Sequence, residues 1–314
     1  MKKVLKYAVR TLIAIIAILI LSIAGLTINH HVRLAIEKNE LHPIGTLVEV
    51  NGHEMHVYSE GAKSEKPTLV FMSGSGVPNP AYDYKTLYTL LSDEYRISVV
   101  EKAGYGYSEN TTISRDIETM LAETREALKQ AGETGPYILF PHSVSGTEAL
   151  YWAQRYPEEL KAIVGLDMSV PDVYVDMKIG SLTVIAGRFS GWIGLHRIPF
   201  FGDRFLNKIG LSEDELKQSK MLLYRNQFDK SFILEVGQIV NNAKKVKESG
   251  YPSVPMLMFT SDGAETTPKW LDLERTFAKA TGSELIELNG GHYVHKYEPK
   301  LIAEKSKAFF SSLN

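Results

Sequence analysis

The stretch that decides the fold is residues 137–146, Tyr-Ile-Leu-Phe-Pro-His-Ser-Val-Ser-Gly. It joins an apolar run of strand length to a turn of small residues, after which a helical pattern begins at Thr147. A serine at such a sharp turn is pushed above the sheet, and its neighbours must be small because the backbone is crowded. The stretch therefore predicts Ser143 as a nucleophile. Pro141 and Ser145 replace the glycines of the G-x-S-x-G pattern, and a serine that merely caps the next helix fits the same window.

Apolar runs of strand length recur on both sides of this turn and alternate with helical patterns. Residues 47–50 and 55–58 flank Asn51-Gly52, a dipeptide that tolerates the positive φ of a tight turn, so they predict an antiparallel hairpin. Six further runs follow, at residues 68–72, 96–100, 137–140, 162–166, 256–259 and 284–288. This alternation predicts an α/β fold with a mostly parallel sheet.

The alternation stops between residues 171 and 250, where helical patterns follow one another without strands. We expect a helical cap inserted after the sixth strand, with the core formed by residues 45–170 and 251–314. Within the cap, Ser212 and Glu215 have the spacing of a capping box. In the core, Ser114 is the predicted N-cap of a helix whose apolar face includes Ile117.

A second chemical signal is Gly290-Gly291-His292-Tyr293, which directly follows the last predicted strand. A loop histidine after two glycines can approach a nucleophile closely, whereas most histidines are structural or solvated. A serine hydroxyl is a poor nucleophile unless a base removes its proton, so Ser143 and His292 explain one another. His142, His295, His30 and His31 lack this placement, and we expect them to be structural or solvent-exposed.

A third signal is the glycine-containing loop Ser73-Gly74-Ser75-Gly76 after the first long strand. Such a loop can direct a backbone N–H group at a developing oxyanion, together with the N–H of the residue after the nucleophile. Ser75 and Val144 are the resulting candidates. An ordinary strand-to-helix turn is the alternative for this loop alone.

The N-terminus carries Lys2, Lys3, Lys6 and Arg10 before an uncharged run of 18 residues, 11–28. This run is long enough to cross a bilayer as a helix. Because the positive residues precede it, we expect a single-pass protein of the cell membrane with its catalytic domain on the extracytoplasmic side. The lipid bilayer is therefore a predicted partner.

The same N-terminal segment is compatible with two alternatives to a retained anchor. Ser22-Ile23-Ala24 has the small-x-small form that signal peptidase accepts, which is typical of a cleaved signal peptide. A buried core helix is the second alternative. For a retained anchor at residues 1–28, residues 29–44 form a polar stalk in which Pro43 ends any helix.

Composition excludes several classes of function. The chain has 314 residues, 44% of them hydrophobic, which permits a sizeable core. A formal net charge of −2 provides no basic field for phosphates, so we expect no nucleic-acid partner. The absence of cysteine excludes disulfides, thiolate metal sites and a cysteine nucleophile. No phosphate-binding loop or metal-ligand cluster is evident, and we expect neither a cofactor nor a metal.

Taken together, these motifs make residues 45–312 resemble the α/β-hydrolase superfamily. The resemblance also includes 101–108, Glu-Lys-Ala-Gly-Tyr-Gly-Tyr-Ser, which is similar to the D-x-x-G-x-G-x-S loop. It implies the α/β-hydrolase fold, with an eight-stranded sheet between helices and a cap after strand 6. The chain looks most like the capped group of proline iminopeptidases, haloalkane dehalogenases, epoxide hydrolases and small esterases. Dehalogenases and epoxide hydrolases of this fold use an aspartate nucleophile, so Ser143 argues against both.

The resemblance leaves the acid of the triad open. Most relatives carry it after the seventh strand, in a G-x-x-D-x-x-x-P pattern that aligns Ala264 with the aspartate and leaves Glu265 and Asp262 out of register. Some relatives, including one branch of the dehalogenases, carry the acid after the sixth strand. Asp167 stands there without any shift, and we predict it as the acid, with Glu265 and Asp262 as alternatives.

The sequence thus predicts a metal-free serine hydrolase that acts on an ester or related acyl substrate through an acyl-enzyme intermediate. The catalytic residues are Ser143, His292 and Asp167, and the partner is a small acyl molecule. An aminopeptidase similar to proline iminopeptidases is one alternative, and it would need cap acids that face the substrate amine. A non-catalytic, surface-exposed binding protein on the same fold is the other.

Overall fold

The computed structural model describes residues 2–313. Its eight strands form one sheet in the order β1-β2-β4-β3-β5-β6-β7-β8. They are β1 Thr46–Val50, β2 His53–Glu60, β3 Thr68–Met72, β4 Ile97–Glu101, β5 Tyr137–Ser143, β6 Leu160–Met168, β7 Met256–Thr260 and β8 Glu284–Glu287. Strands β1 and β2 are antiparallel to their neighbours, and all later pairs are parallel. The predicted hairpin and the mostly parallel sheet are confirmed, and Asn51 and Gly52 have positive φ at the hairpin turn.

Helices cover both faces of this sheet. They are α1 Lys2–Glu37, α2 Pro80–Asp83, α3 Lys85–Tyr88, α4 Ile117–Gln130, α5 Ser145–Arg155, α6 Ser181–Trp192, α7 Pro199–Gly202, α8 Glu213–Asn226, α9 Lys230–Glu248, α10 Trp270–Thr281, α11 Val294–Tyr297 and α12 Pro299–Ser312. One buried cluster joins the sheet to α4, α5 and α10, and a second joins it to α3 and α12. The chemistry-bearing strand ends therefore lie above a core that is packed on two sides.

Helices α6 to α9 lie between β6 and β7, which confirms the helical insertion after the sixth strand. Ser212 and Glu215 form the predicted capping box at the start of α8. The prediction of Ser114 as N-cap of α4 was wrong. Asp116 occupies that position, and its side chain accepts from Thr119 N. Ser114 Oγ instead accepts from Asp116 N, in the turn that precedes the helix.

Helix α1 is long and apolar enough to cross a membrane, by length and composition, and it continues beyond the apolar run to Glu37. Its last turns contact the cap. The Arg197 guanidinium donates to both carboxylate oxygens of Glu37, at 2.8 and 2.7 Å, and its Nε donates to His30 Nδ1 at 2.8 Å. Part of the stretch predicted as a stalk, residues 29–44, is therefore helical and attached to the globular body.

Candidate active site

The turn after β5 holds Ser143 in a strained conformation. Strand β5 ends at Ser143, α5 begins at Ser145, and the φ of Ser143 is 54°, a value that residues other than glycine rarely adopt. Ser145 Oγ accepts from His142 N at 3.0 Å and lies 2.7 Å from its acceptor, Met72 O. These contacts explain why serine stands where the usual pattern has glycine. Such strain persists only where the surroundings impose it, and it is characteristic of functional turns.

Asp167 and His292 meet beside this turn. Asp167 is the second-last residue of β6, and its carboxylate is fully buried. Its Oδ2 accepts from His292 Nδ1 at 2.6 Å, so Nδ1 carries the proton and Nε2 is left as the basic nitrogen. A backbone hydrogen bond connects the end of β6 to the serine turn: Ser169 N donates to Ser143 O at 2.8 Å.

The other carboxylate oxygen of Asp167 is saturated by donors from the seventh-strand region. Oδ1 accepts from Trp270 Nε1 at 2.8 Å, from Ser261 N at 2.8 Å and from Thr260 Oγ1 at 3.1 Å. The Trp270 ring also packs edge-on against His292, with 5.2 Å between centroids. Hydrogen bonds of this kind stabilise a buried charged carboxylate and fix its orientation. Sequence reasoning missed Trp270, because nothing in its local pattern indicates a contact with residue 167.

The two alternative acids are placed differently. Glu265 is exposed and its Oε2 accepts from the backbone N of His292 at 2.8 Å. Asp262 is also exposed, and its Oδ1 accepts from Ala264 N at 2.9 Å. Glu265 therefore supports the loop that carries His292, and Asp262 stabilises its own turn.

The glycine loop after β3 packs directly on the serine turn. A Cβ atom on Gly74 would lie 2.8 Å from the Cβ of Ser143 and 2.9 Å from Nδ1 of His142, so only glycine fits there. Within residues 2–313, the backbone N–H groups of Ser75 and Val144 donate to no protein acceptor. Both N–H groups are therefore available to a bound ligand.

A buried ion pair between the core and the cap supports this loop. Tyr105 OH accepts from Gly76 N at 3.0 Å and donates to Glu235 Oε2 at 2.7 Å. Glu235 belongs to α9, and its Oε1 accepts from Lys102 Nζ at 2.8 Å. Burial raises the pKa of Tyr105 well above its usual range, which keeps its hydroxyl protonated as the donor to Glu235. No local sequence pattern indicates this connection, since the residues come from three distant segments.

Two further histidines lie beneath the site. His142 is buried, and its Nε2 contacts His292 O at 3.1 Å. Its burial, and to a smaller extent the charge of the nearby His292, lowers the pKa of His142 well below the usual range. His295 is also buried and bonds to Asp83 Oδ2 at 2.8 Å. Both side chains therefore pack the loop of His292 against the turn of Ser143, and neither is placed as the base.

A cavity of about 800 Å³ lies elsewhere, lined by Arg125, Tyr137, Trp152 and Lys161. Tyr137 and Lys161 stand at the starts of β5 and β6, so this cavity faces the opposite edge of the sheet from Ser143. In open α/β sheets, ligands bind at the carboxyl ends of the strands. We therefore assign no catalytic role to this cavity.

Comparison with known sequences finds one relative that matches almost the whole chain. It is the uncharacterized protein YbdG of Bacillus subtilis (strain 168), 38% identical over 320 residues that cover 98% of this chain and 97% of the relative. The uncharacterized protein C23C11.06c of Schizosaccharomyces pombe is 32% identical over 122 residues, which cover 38% of this chain and 22% of the relative. No protein-family model matches the chain.

Several solved structures share the fold. Epoxide hydrolase CorEH superposes with a TM-score of 0.65 at 17% identity, over 86% of this chain and 99% of the other. Cfl2 of Burkholderia cenocepacia gives 0.64 at 19% identity, over 84% and 94%. A loop variant of haloalkane dehalogenase DbeA of Bradyrhizobium elkanii gives 0.62 at 16% identity, over 85% and 96%. These similarities establish an α/β-hydrolase fold.

Proposed function

Since the chain belongs to one family with YbdG of Bacillus subtilis and has the α/β-hydrolase fold, we propose that it is a serine hydrolase of acyl substrates. The observation that carries the proposal is the strained Ser143 at the end of β5, beside the 2.6 Å contact of Asp167 with His292. Nucleophile, base and acid would then come from the ends of three strands, as catalysis by a triad requires.

In this mechanism Ser143 Oγ attacks the carbonyl carbon of the substrate, and His292 Nε2 removes the hydroxyl proton. Asp167 holds the imidazole in the tautomer that this step needs and stabilises the imidazolium that forms. The N–H groups of Ser75 and Val144 stabilise the oxyanion. His292 then donates its proton to the leaving group, and a water molecule hydrolyses the acyl-enzyme by the same route.

An ester or a related acyl compound is the substrate class that this residue set supports. The names of the structural relatives include an epoxide hydrolase and a haloalkane dehalogenase. In those classes of enzyme the nucleophile at the turn is an aspartate, whereas this chain carries Ser143 there. A serine alkoxide acting with a histidine is suited to acyl transfer.

The aminopeptidase alternative requires a cap acid that is free to bind the substrate amine. Glu235 is a buried cap acid next to the loop of residues 73–76, here called the oxyanion loop, and its charge is already paired with Lys102. Two features disfavour the alternative of a non-catalytic binding protein. The N–H groups of Ser75 and Val144 have no protein acceptor, and Asp167 is held by several hydrogen-bond donors. A protein that only binds its ligand requires neither feature.

Replacement of Ser143 by alanine tests the proposal. We expect Ser143→Ala to lower hydrolysis of p-nitrophenyl butyrate at least about a thousandfold and to abolish labelling by a fluorophosphonate probe. The control is Ser249→Ala, which removes an exposed serine hydroxyl in the same chain and is expected to leave both signals unchanged. Wild-type turnover in Ser143→Ala would refute the mechanism, and an unlabelled wild-type protein would favour a binding function.

A further inference from the structure

Helix α6 of the cap exposes a stripe of large apolar side chains. Leu182, Ile185, Phe189 and Trp192 are 80%, 61%, 49% and 56% exposed. Their spacing of three and four residues puts them on one face of the helix. Arg188 is the single charged residue of α6.

The inward face of α6 has the opposite character. A Cβ atom on Gly187 would lie 3.4 Å from the ring of Phe228, and one on Gly191 would lie 3.0 Å from the Cβ of Phe228. The helix thus turns its glycines towards the cap and its large apolar residues outward. A surface helix in water has the reverse arrangement, and a contiguous exposed apolar patch is typical of a protein or membrane interface.

The position of this face relative to α1 identifies the partner. The rings of Trp192 and His31 lie 6.1 Å apart, and His30 is buried against the same part of the cap, with its ring 5.3 Å from that of His196. His31 stands three residues after Ile28, which is about 4.5 Å along the helix axis from the end of the apolar run. The stripe therefore begins at the level where α1 would leave the hydrocarbon core.

We propose that the outer face of α6 lies in the headgroup region of the same bilayer that α1 crosses, as a second and in-plane membrane contact. Leu182, Ile185 and Phe189 enter the acyl boundary, and Trp192 lies at the interface, where tryptophan is favoured. Phe200, on the next short helix of the cap, is a further large apolar side chain that is exposed, at 85%.

The membrane contact also indicates a class of substrate, an inference that rests on the proposed function. Phe228, beneath α6, packs on Phe232 with 5.8 Å between ring centroids, and a Cβ on Gly76 would lie 3.2 Å from the Phe232 ring. A row of packed aromatic side chains therefore connects the membrane-facing helix to the loop of residues 73–76. A substrate whose acyl chain resides in the bilayer is the class that this arrangement would supply to Ser143.

The depth of α6 can be measured directly, because the chain contains no cysteine and a single introduced one reports on one site. We would label Leu182→Cys and Phe189→Cys with a nitroxide in the full-length protein, reconstituted into mixed phosphatidylcholine and phosphatidylglycerol vesicles. Collisions with oxygen should exceed those with a water-soluble nickel chelate at both sites. The matched control is Tyr251→Cys, 63% exposed in the loop before β7, where the chelate should dominate.

Dominant collisions with the chelate at all three sites would overturn the proposal. Low accessibility to both reagents, with spin–spin broadening, would also overturn it and indicate a second copy of the chain on this face.

A second experiment tests the consequence for catalysis. Leu182→Glu should lower hydrolysis of a long-chain ester in vesicles about tenfold while leaving soluble p-nitrophenyl acetate turnover unchanged. An equal loss on both substrates would refute the supply of substrate from the bilayer. If the wild type hydrolyses neither ester, the proposed function fails, and the depth measurement still decides the membrane contact.

Discussion

Asp167 is the carboxylate whose surroundings suit a triad acid. Its Oδ2 is within 2.6 Å of His292 Nδ1, and three donors fix its Oδ1. We predict that Asp167→Asn lowers kcat by about three to four orders of magnitude, because an amide cannot stabilise the imidazolium and its NH₂ group favours the wrong tautomer. Steady-state kinetics with p-nitrophenyl butyrate would measure this loss.

Glu265→Gln and Asp262→Asn are the matched controls for that prediction. Each replaces an exposed acid by its amide, and each amide oxygen can still accept the backbone bond from His292 N or Ala264 N. Both variants should keep kcat within a factor of about ten, since they remove no interaction made only in the transition state. Near-normal kcat in Asp167→Asn with a large loss in Glu265→Gln would move the acid to the seventh-strand loop.

Among the structural elements, α9 is joined to the core by the buried pair of Lys102 and Glu235, whose side chains are 6% and 4% exposed. Removing one partner of such a pair leaves an uncompensated buried charge, which costs about 3–5 kcal/mol. We predict that Lys102→Met destabilises the protein by this amount and lowers kcat, because Glu235 also fixes Tyr105 behind the oxyanion loop. Thermal unfolding of the detergent-solubilised protein would measure the change.

The double variant Lys102→Met with Glu235→Gln should regain most of the lost stability, since no charge is then buried alone. An exposed pair provides the control. Arg275 and Glu287 are 51% and 45% exposed, so Arg275→Met should change the free energy of unfolding by less than about 1 kcal/mol. Equal effects of Lys102→Met and Arg275→Met would show that the buried pair does not hold α9.

For the whole molecule, we propose that α1 is retained as an anchor and that the catalytic body lies outside the cytoplasm. The prediction is that the full-length protein sediments with membranes, resists alkaline carbonate and is released by detergent, because about 20 apolar residues suffice to span a bilayer. In intact cells, external protease should degrade the body. A mature N-terminus at Gly25 would show cleavage, and protection of the body would reverse the orientation.

Truncation separates the membrane role of α1 from its packing role. A chain that begins at residue 29 keeps the contacts of Arg197 with His30 and Glu37, whereas a chain that begins at residue 45 loses them. We predict that the first is soluble and active and that the second unfolds at a lower temperature, because the buried Arg197 guanidinium then loses His30 and Glu37. Identical unfolding of the two would show that residues 29–44 serve only as a spacer.

The sequence alone predicted the parts of this protein that depend on neighbours in the chain. Strand runs, the Asn51-Gly52 hairpin and the capping box of Ser212 are local patterns, and the structure confirms them. The small residues beside two strand ends predict Ser143 and His292, because such residues have a steric reason to be there. Their loops do meet, through the 3.1 Å contact of His142 with His292 O.

Only the tertiary structure decided which distant groups surround those residues. The sequence favours Asp167 over Glu265 and Asp262 only by its register in the family resemblance. Its burial and the donors from Trp270 and Ser261 are visible only in the folded chain. In the same way, Lys102 and Glu235 pair across 133 positions of the chain. The apolar face of α6 is recognisable only in the structure, which shows that its side chains are exposed. Contacts of this kind depend on how elements pack, which no window of sequence contains.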